Sequence, residues 1–156
     1  MPAAERSQNA PEDPKPPHEA HDGPVTTMMI RNLPNRLQPK QLMLLMEEIG
    51  WADTYDYVYM PQDRKSGACK GYAFLNFYRP EHADSFPDMV AQGSWTKKKL
   101  VVTPARCQGV MKNLEQMVSL GLEVPDGSVF NKPWVRVGNE MKPLAAPAAY
   151  AMYKQF

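Results

Sequence analysis

Residues 70–77, read KGYAFLNF, decide the fold of this chain. Successive side chains of a β-strand point to opposite faces of a sheet. The alternation places Tyr72, Phe74 and Asn76 on one face and Ala73, Leu75 and Phe77 on the other. The second set is apolar and suits a core beneath helices, which leaves two aromatic rings on an open face. A strand buried on both faces is disfavoured, because Lys70 and Gly71 begin it and Asn76 is a poor core residue.

The same eight residues fit the octamer K/R-G-F/Y-G/A-F-V-x-F/Y of RNA-recognition motifs at every fixed position except Leu75. Exposed rings on such a sheet stack on unpaired bases, and each stacked base contributes roughly 1–3 kcal/mol. Residues 28–33, MMIRNL, have the form of the hexamer that runs beside this octamer. In it Met29 and Arg31 would face the nucleic acid, where methionine packs flat under a base and arginine meets phosphate or stacks. The two motifs predict binding of single-stranded RNA.

The remaining elements follow from periodicity. Residues 39–49 and 80–90 have helical spacing, and residues 55–60 and 100–103 alternate as strands. The order β-α-β-β-α-β predicts an α+β fold of the ferredoxin-like class, with a four-stranded antiparallel sheet and two helices on one face. Pro87 lies deep in the second helix, so we expect that helix to kink or break near Phe86.

Four further positions extend the predicted open face. Val101 and Thr103 should face outward from the last strand, and we place Tyr57 and Tyr59 outward from the second. The opposite phase, with both tyrosines in the core, stays open, since a buried tyrosine needs one partner for its hydroxyl. The predicted RNA-binding residues are Met29, Arg31, Tyr57, Tyr59, Lys70, Tyr72, Phe74, Asn76, Val101 and Thr103. The run Lys97 to Lys99 either reaches phosphate or forms a solvated turn.

Several segments resemble one branch of these motifs, the Mei-two-like family, which includes the terminal-ear-like proteins. They are TTMMIRNLPNRL at residues 26–37, YDYVYMP at 55–61, GYAFLNF at 71–77 and ARCQG at 105–109. The similarity is to that family's carboxy-terminal RNA-recognition motif and covers about residues 26–120. It implies single-stranded RNA binding in post-transcriptional control of meiosis or differentiation. Within that family a methionine at position 29 is expected.

Both ends extend beyond the motif, which we place at residues 25–108. Residues 1–24 are acidic and proline-rich and predict a disordered tail. Residues 109–120 have helical spacing and predict a third helix, which either packs beside the sheet or partly covers its RNA-binding face. Residues 121–156 predict a partly docked arm. The helix or the arm also offers the alternative function, a protein-interaction module with the sheet face covered.

Composition restricts the other function classes. The chain has 43% apolar residues and a net charge of +1, and the part after residue 24 carries about +4, because the tail holds five acids and two bases. No apolar run is close to the length of a membrane span, which is about 18 residues. Cys69 and Cys107 should lie at opposite sheet ends as free thiols, which indicates a reducing compartment, the nucleus or the cytoplasm. His18 and His21 lack further ligands, so we expect no metal. His82 has no nucleophile beside it in sequence, and the loop after the first strand lacks the glycines of a phosphate cradle, so we expect no enzymatic activity. We also expect no cofactor and a monomer.

Overall fold

The computed structural model describes residues 23–63, 65–93, 95–119 and 132–144. In chain order these residues form β1 (Thr27–Arg31), α1 (Pro39–Glu48), β2 (Tyr55–Tyr59), β3 (Tyr72–Phe77), α2 (Pro80–Gln92), β4 (Val101–Pro104), α3 (Val110–Ser119), β5 (Trp134–Val137) and β6 (Glu140–Pro143). The strands make one sheet in the order β4-β1-β3-β2-β5-β6, with every neighbouring pair antiparallel. The predicted four strands and two core helices are confirmed. The sheet is larger than predicted, because β5 and β6 come from the segment that was assigned to an arm.

The main core lies between the sheet and helices α1 and α2. Its fully buried members alternate along the strands and recur at helical spacing, as Ile30, Val58, Ala73, Leu75 and Phe77 from the sheet and Leu42, Met46, Ala83, Phe86 and Val90 from the helices. The octamer strand therefore buries the face that its alternation predicted. Burial of each large apolar side chain contributes about 1.5–3 kcal/mol, so this layer fixes the orientation of β3.

Helix α1 begins where its sequence predicts. Pro39 occupies the first turn, where its missing N–H costs nothing. The backbone N–H of Gln38 donates to Oε1 of Gln41 at 2.8 Å, which closes the helix start. Gly50 follows the helix with φ of +83°, a backbone conformation that glycine adopts without strain.

Helix α2 continues through Pro87, so of the kink or break predicted near Phe86 the break is absent, and the kink stays a prediction. Proline in a helix interior removes one backbone hydrogen bond. Here Ala83 and Phe86 precede the proline and Val90 follows it, and all three are buried in the same core. Packing on both sides of Pro87 holds the two halves of the helix in register.

The β5–β6 hairpin extends the sheet beyond β2. Tyr57 and Val58 pair with Val135 and Trp134. Trp134 packs against the main core, whereas Val135 is buried on the opposite face with Tyr57. The hairpin thus protects the edge of β2, which would otherwise present unpaired backbone groups.

Helix α3 starts from a hydrogen-bonded base. Gln108 accepts the backbone N–H groups of Thr26 and Thr27, both at 2.8 Å, and donates to the carbonyls of Thr27 and Ala105 at 2.9 and 2.8 Å. Asn113 donates to the carbonyls of Cys107 and Gly109 at 3.2 and 2.7 Å. These bonds tie the segment before α3 to β1 and set where the helix begins.

A buried polar chain continues from this base into the sheet. The Gly109 N–H donates to Oγ1 of Thr27 at 2.9 Å, and that hydroxyl donates to Oδ1 of Asn76 at 2.7 Å. Nδ2 of Asn76 then donates to Oδ1 of Asp56 at 2.8 Å. Asp56 is the extra residue at the irregularity between Tyr55 and Tyr57, which brings its carboxyl onto this face. Burial raises the pKa of Asp56 above its ordinary value of 3.8, although the Asn76 hydrogen bond opposes that shift.

Cys69 is buried, Cys107 is half-buried, and both are free thiols. Over the described ranges, no helix is both long and apolar enough to cross a membrane. The same ranges contain no cluster of three or more His, Cys, Asp or Glu side chains suited to a metal ion. His18 and His21, and residues 1–22 of the predicted tail, lie outside the described residues.

Replacing Gln108 by Ala should destabilise the protein by about 1–3 kcal/mol, because the amides of half-buried Thr26 and buried Thr27 lose their acceptor. Denaturant unfolding of the full chain measures this difference. Gln92→Ala, at an exposed position at the end of α2, is the matched control and should change stability little. Equal stability of the two variants would show that the Gln108 anchor contributes nothing.

Asp56 makes stability depend on pH with a definite sign. Because its pKa is raised in the folded state, the folded protein holds this proton more tightly than the unfolded chain does. Its contribution is complete below the unfolded pKa of about 3.9 and is lost as pH rises through the folded pKa. The stability of the wild type relative to Asp56→Asn should therefore fall as pH rises from about 4, measured by denaturant unfolding. Asp53→Asn, at an exposed carboxyl, is the control, and a flat or rising difference for Asp56→Asn would contradict the prediction.

Candidate nucleic-acid interface

The sheet face opposite α1 and α2 is organised in cross-strand rows. One row runs Val101, Arg31 and Tyr72 across β4, β1 and β3. The next row runs Thr103, Met29, Phe74 and Tyr59. The third contains Thr27, Asn76, Tyr57 and Val135. All ten predicted positions except Lys70 lie in these rows, and the structure thus gathers them on one face.

Tyr72 and Phe74 form the accessible aromatic surface. Their ring centroids are 5.7 Å apart with planes at 85°, an edge-to-face arrangement. Both side chains are half-buried. The ring of Phe74 also lies nearly parallel to that of Tyr59, with centroids 6.4 Å apart and an 11° interplanar angle. The faces of Tyr72 and Phe74 thus differ in orientation, so two bases stacked on them would be turned relative to each other.

Met29 and Arg31 flank these rings in β1. Met29 pairs with Phe74 on one side and Thr103 on the other, and only 8% of it is exposed. It therefore supports the floor of the surface and offers little area of its own. Arg31 is half-buried and pairs with Tyr72 on one side and Val101 on the other, so its side chain leaves the sheet in the same row as the accessible ring.

The β4 edge supplies the outer border. Val101 is 37% exposed and Thr103 is half-buried, and both face outward as predicted. Leu100 and Val102 pack against the main core, which confirms the phase of this strand. The surface made by Met29, Arg31, Tyr72, Phe74, Val101 and Thr103 is called the platform below.

Cationic side chains collect at one end of the platform. Lys70 is exposed and precedes Gly71, whose φ of +101° turns the chain into β3. Nδ2 of Asn32 donates to the carbonyl of Lys99 at 3.1 Å, and this bond ties the loop before β4 to the end of β1. Lys98 lies close enough to Cys69 to oppose the rise of the Cys69 thiol pKa that burial causes. Lys70, Lys98 and Lys99 thus flank the row that contains Arg31 and Tyr72.

Tyr57 and Tyr59 lie on the predicted face but are covered. Leu114 and Met117 of α3 pack against them and Val135 lies beside Tyr57 in the neighbouring strand β5, leaving 1% of Tyr57 and 8% of Tyr59 exposed. The Tyr57 hydroxyl donates to Sδ of Met117 at 3.7 Å. Burial raises the pKa of Tyr57 well above 10, and burial followed by the neighbouring Tyr72 raises the pKa of Tyr59 to about 12. The prediction of an open second strand is therefore wrong, although its phase is right.

Asn76 is also unavailable on this surface. Only 5% of the residue is exposed, and its amide is used by Thr26, Thr27 and Asp56. The prediction of Asn76 as an exposed contact is wrong for the structure as it stands, because the amide completes the polar chain beneath α3. Its role here is to hold β1, β2 and β3 together.

Sequence reasoning found α3 but left its position open. The stripe of Val110, Leu114 and Met117 was visible as helical spacing, and all three pack in the cluster with Tyr57. The contribution of Gln108 was missed. Its signal was the position of a long amide side chain just before Gly109, but Thr26 and Thr27, the partners that tie it to the start of β1, lie more than 80 residues away in sequence.

The comparisons with known proteins agree with this geometry. A family model described as RNA recognition motif 2 matches residues 25–117. The chain is 36% identical over 92 residues to Protein MEI2-like 4 of Oryza sativa subsp. japonica, covering 56% of this chain and 9% of that protein. It is 38% identical over 88 residues to Protein MEI2-like 1 of Arabidopsis thaliana, covering 54% and 10%. The chain thus spans about a tenth of the length of these relatives.

Among solved structures, the Rna15 RRM with bound RNA (GU) matches with a TM-score of 0.50 and 20% identity, covering 63% of this chain and 96% of that one. At this identity the likeness shows the fold alone. The family match extends from β1 through most of α3 and includes the octamer and the hexamer. The chain belongs to the RNA recognition motif 2 family, the Mei2-type motif that its RNLPN and YDYVYMP segments indicate.

Proposed function

We propose that this protein binds single-stranded RNA on the platform, across β4, β1 and β3. The observation that carries the proposal is the pair of half-buried rings, Tyr72 and Phe74, on the sheet face that α1 and α2 leave free. Stacking on aromatic rings is available to every base and contributes roughly 1–3 kcal/mol per base. Unpaired bases are required, because a base inside a duplex has no free face.

The neighbouring side chains suit the sugar and phosphate of such a strand. Arg31 beside Tyr72 offers a planar guanidinium for phosphate or for stacking. Thr103 offers a hydroxyl, and Val101 offers exposed apolar area at the edge of the sheet. Lys70 and the lysines before β4 add the salt-dependent attraction that phosphates provide.

The covered tyrosines limit the site. Leu114 and Met117 pack with Tyr57 and Tyr59, and Phe74 packs against the border of the same cluster. Bases therefore reach the Tyr72 ring and the exposed part of the Phe74 ring while α3 stays on the sheet. Contact of RNA with Tyr57, Tyr59 or Asn76 would require α3 to leave. We therefore assign two stacked bases to the platform and no base to β2.

The cellular role that we propose is post-transcriptional regulation, in meiosis or differentiation. Its support is the resemblance to the Mei-two-like family and the similarity to proteins named MEI2-like. A non-enzymatic role fits a site made of stacking and cationic groups.

A second candidate function is a protein-interaction module. The observation that favours it is the packing of α3 against two of the four aromatic rings of this face, Tyr57 and Tyr59. On this alternative the remaining rings would be inessential. Replacing them would leave partner binding unchanged.

Replacing Tyr72 and Phe74 by Ala, singly and together, should weaken RNA binding. Loss of each ring that stacks one base should weaken the binding free energy by roughly 1–3 kcal/mol, which is a fivefold or larger rise in Kd. Fluorescence anisotropy with short single-stranded RNAs of mixed sequence, at two salt concentrations, measures the change. Binding by the wild type should also weaken at the higher salt concentration.

Tyr78→Ala is the matched aromatic control for this experiment. Tyr78 is exposed and follows β3, about 13 Å along the strand from Phe74. Its replacement should leave Kd unchanged. If the wild type binds no RNA, or if the double variant binds as tightly as the wild type with all variants folded, the platform proposal fails.

A further inference from the structure

A second concave surface lies on the other side of the sheet. A groove of about 540 Å³ runs between α2 and β4, within the size range of ligand sites. Its apolar walls come from the sheet as Met28, Val102 and Pro104, and from the helix as Pro80 and Pro87. Met28 and Val102 face the main core, so the groove lies behind the platform rather than on it.

The rim of the groove is acidic. Glu81 and Asp84 stand three residues apart on α2 and therefore share one face of the helix. Both are exposed, and across the described part of the chain neither forms an ion pair. This rim disfavours phosphate and favours a cation, whereas the lysines beside the platform do the opposite.

The groove borders a free edge of the sheet. Among the described strands, β4 is the terminal one and pairs only with β1. An edge strand offers backbone N–H and C=O groups to a further extended segment. A peptide beside β4 would place alternate side chains toward the helix side, where the groove lies.

We propose that this groove docks an extended segment of a partner protein in which Arg or Lys flanks an aliphatic side chain. The aliphatic group enters between the two prolines of α2 and Val102, where it leaves water. The flanking cations pair with Glu81 and Asp84. The groove lies on the helix side of the sheet and shares only the β4 edge with the platform, so Glu81 and Asp84 take no part in RNA binding.

The chain's own N-terminal segment is a poorer occupant. Val25 lines the groove, so residues 1–24 join the described part of the chain beside it. Residues 1–24 carry five acids and two bases, however, and their net negative charge opposes Glu81 and Asp84. Charge complementarity therefore selects a basic segment from another protein.

A random displayed-peptide library, selected on the folded full chain, tests this proposal. Retained peptides should combine Arg or Lys with an aliphatic residue, and they should bind Glu81→Lys/Asp84→Lys at least roughly fivefold more weakly than the wild type. Glu47→Lys/Glu48→Lys carries the same change in net charge on exposed positions of α1 and should bind them as the wild type does. Backbone amide shifts on adding a retained peptide should concentrate in residues 81–86 and 101–103.

Three results would overturn the proposal: no retained peptide, retained peptides without basic residues, or equal binding by the wild type and the groove variant. Amide shifts centred elsewhere would overturn it independently of any variant. The groove variant should bind short single-stranded RNA with the same Kd as Glu47→Lys/Glu48→Lys, which carries the same net charge, and weaker binding than this control would contradict the separation of the two sites. If neither the wild type nor any variant binds RNA, the platform proposal fails. The groove proposal is then still tested by the peptide experiment.

Discussion

The structure depends on one strand, β3, which buries one face against the helices and leaves aromatic rings on the other. Along β3, Ala73, Leu75 and Phe77 are sealed against the helices, and this burial fixes which way the intervening side chains point. Tyr72 and Phe74 must therefore point to the opposite face of the sheet. A shift of one residue in register would exchange the two sets and place three apolar groups in water, so the core itself maintains the aromatic surface. Stability and recognition are therefore properties of one alternating sequence.

The open face is not uniform along its length. At the end near Asn76 it is closed by a polar chain through Thr27 and Asp56, and α3 rests on the tyrosines of β2. At the other end Arg31, Tyr72 and the neighbouring lysines remain accessible. The sheet therefore combines a structural region and the region that we propose to bind RNA on one surface. The Gln108 anchor explains the division, because it fixes where α3 begins.

The sequence predicted those features of the fold that depend on short-range periodicity. The octamer, the hexamer and the helical stripes gave the element order, the faces of β1, β3 and β4, and the phase of Tyr57 and Tyr59. Alternation states which way a side chain points, however, and not what covers it. The cover over Tyr57 comes from Met117, 60 residues away, and no local pattern specifies that contact. Asn76 was predicted to lie on the surface because its partners are distant in sequence. The β5–β6 hairpin was not predicted as strands because its few apolar residues lie in a long segment. Pro87 shows the reverse case, in which packing on both sides overrides a local helix breaker.

The central claim is that single-stranded RNA occupies the β4-β1-β3 half of the sheet while α3 stays in place. The most direct measurement is a map of backbone and side-chain NMR shifts of the isotopically labelled full chain on addition of a short single-stranded RNA. The account predicts that the shifts concentrate at Arg31, Tyr72, Phe74 and Thr103, with Leu114 and Met117 unchanged. Large shifts across Tyr57, Tyr59 and α3 would contradict a fixed cover, and the absence of any shift on the sheet face would contradict the binding site itself.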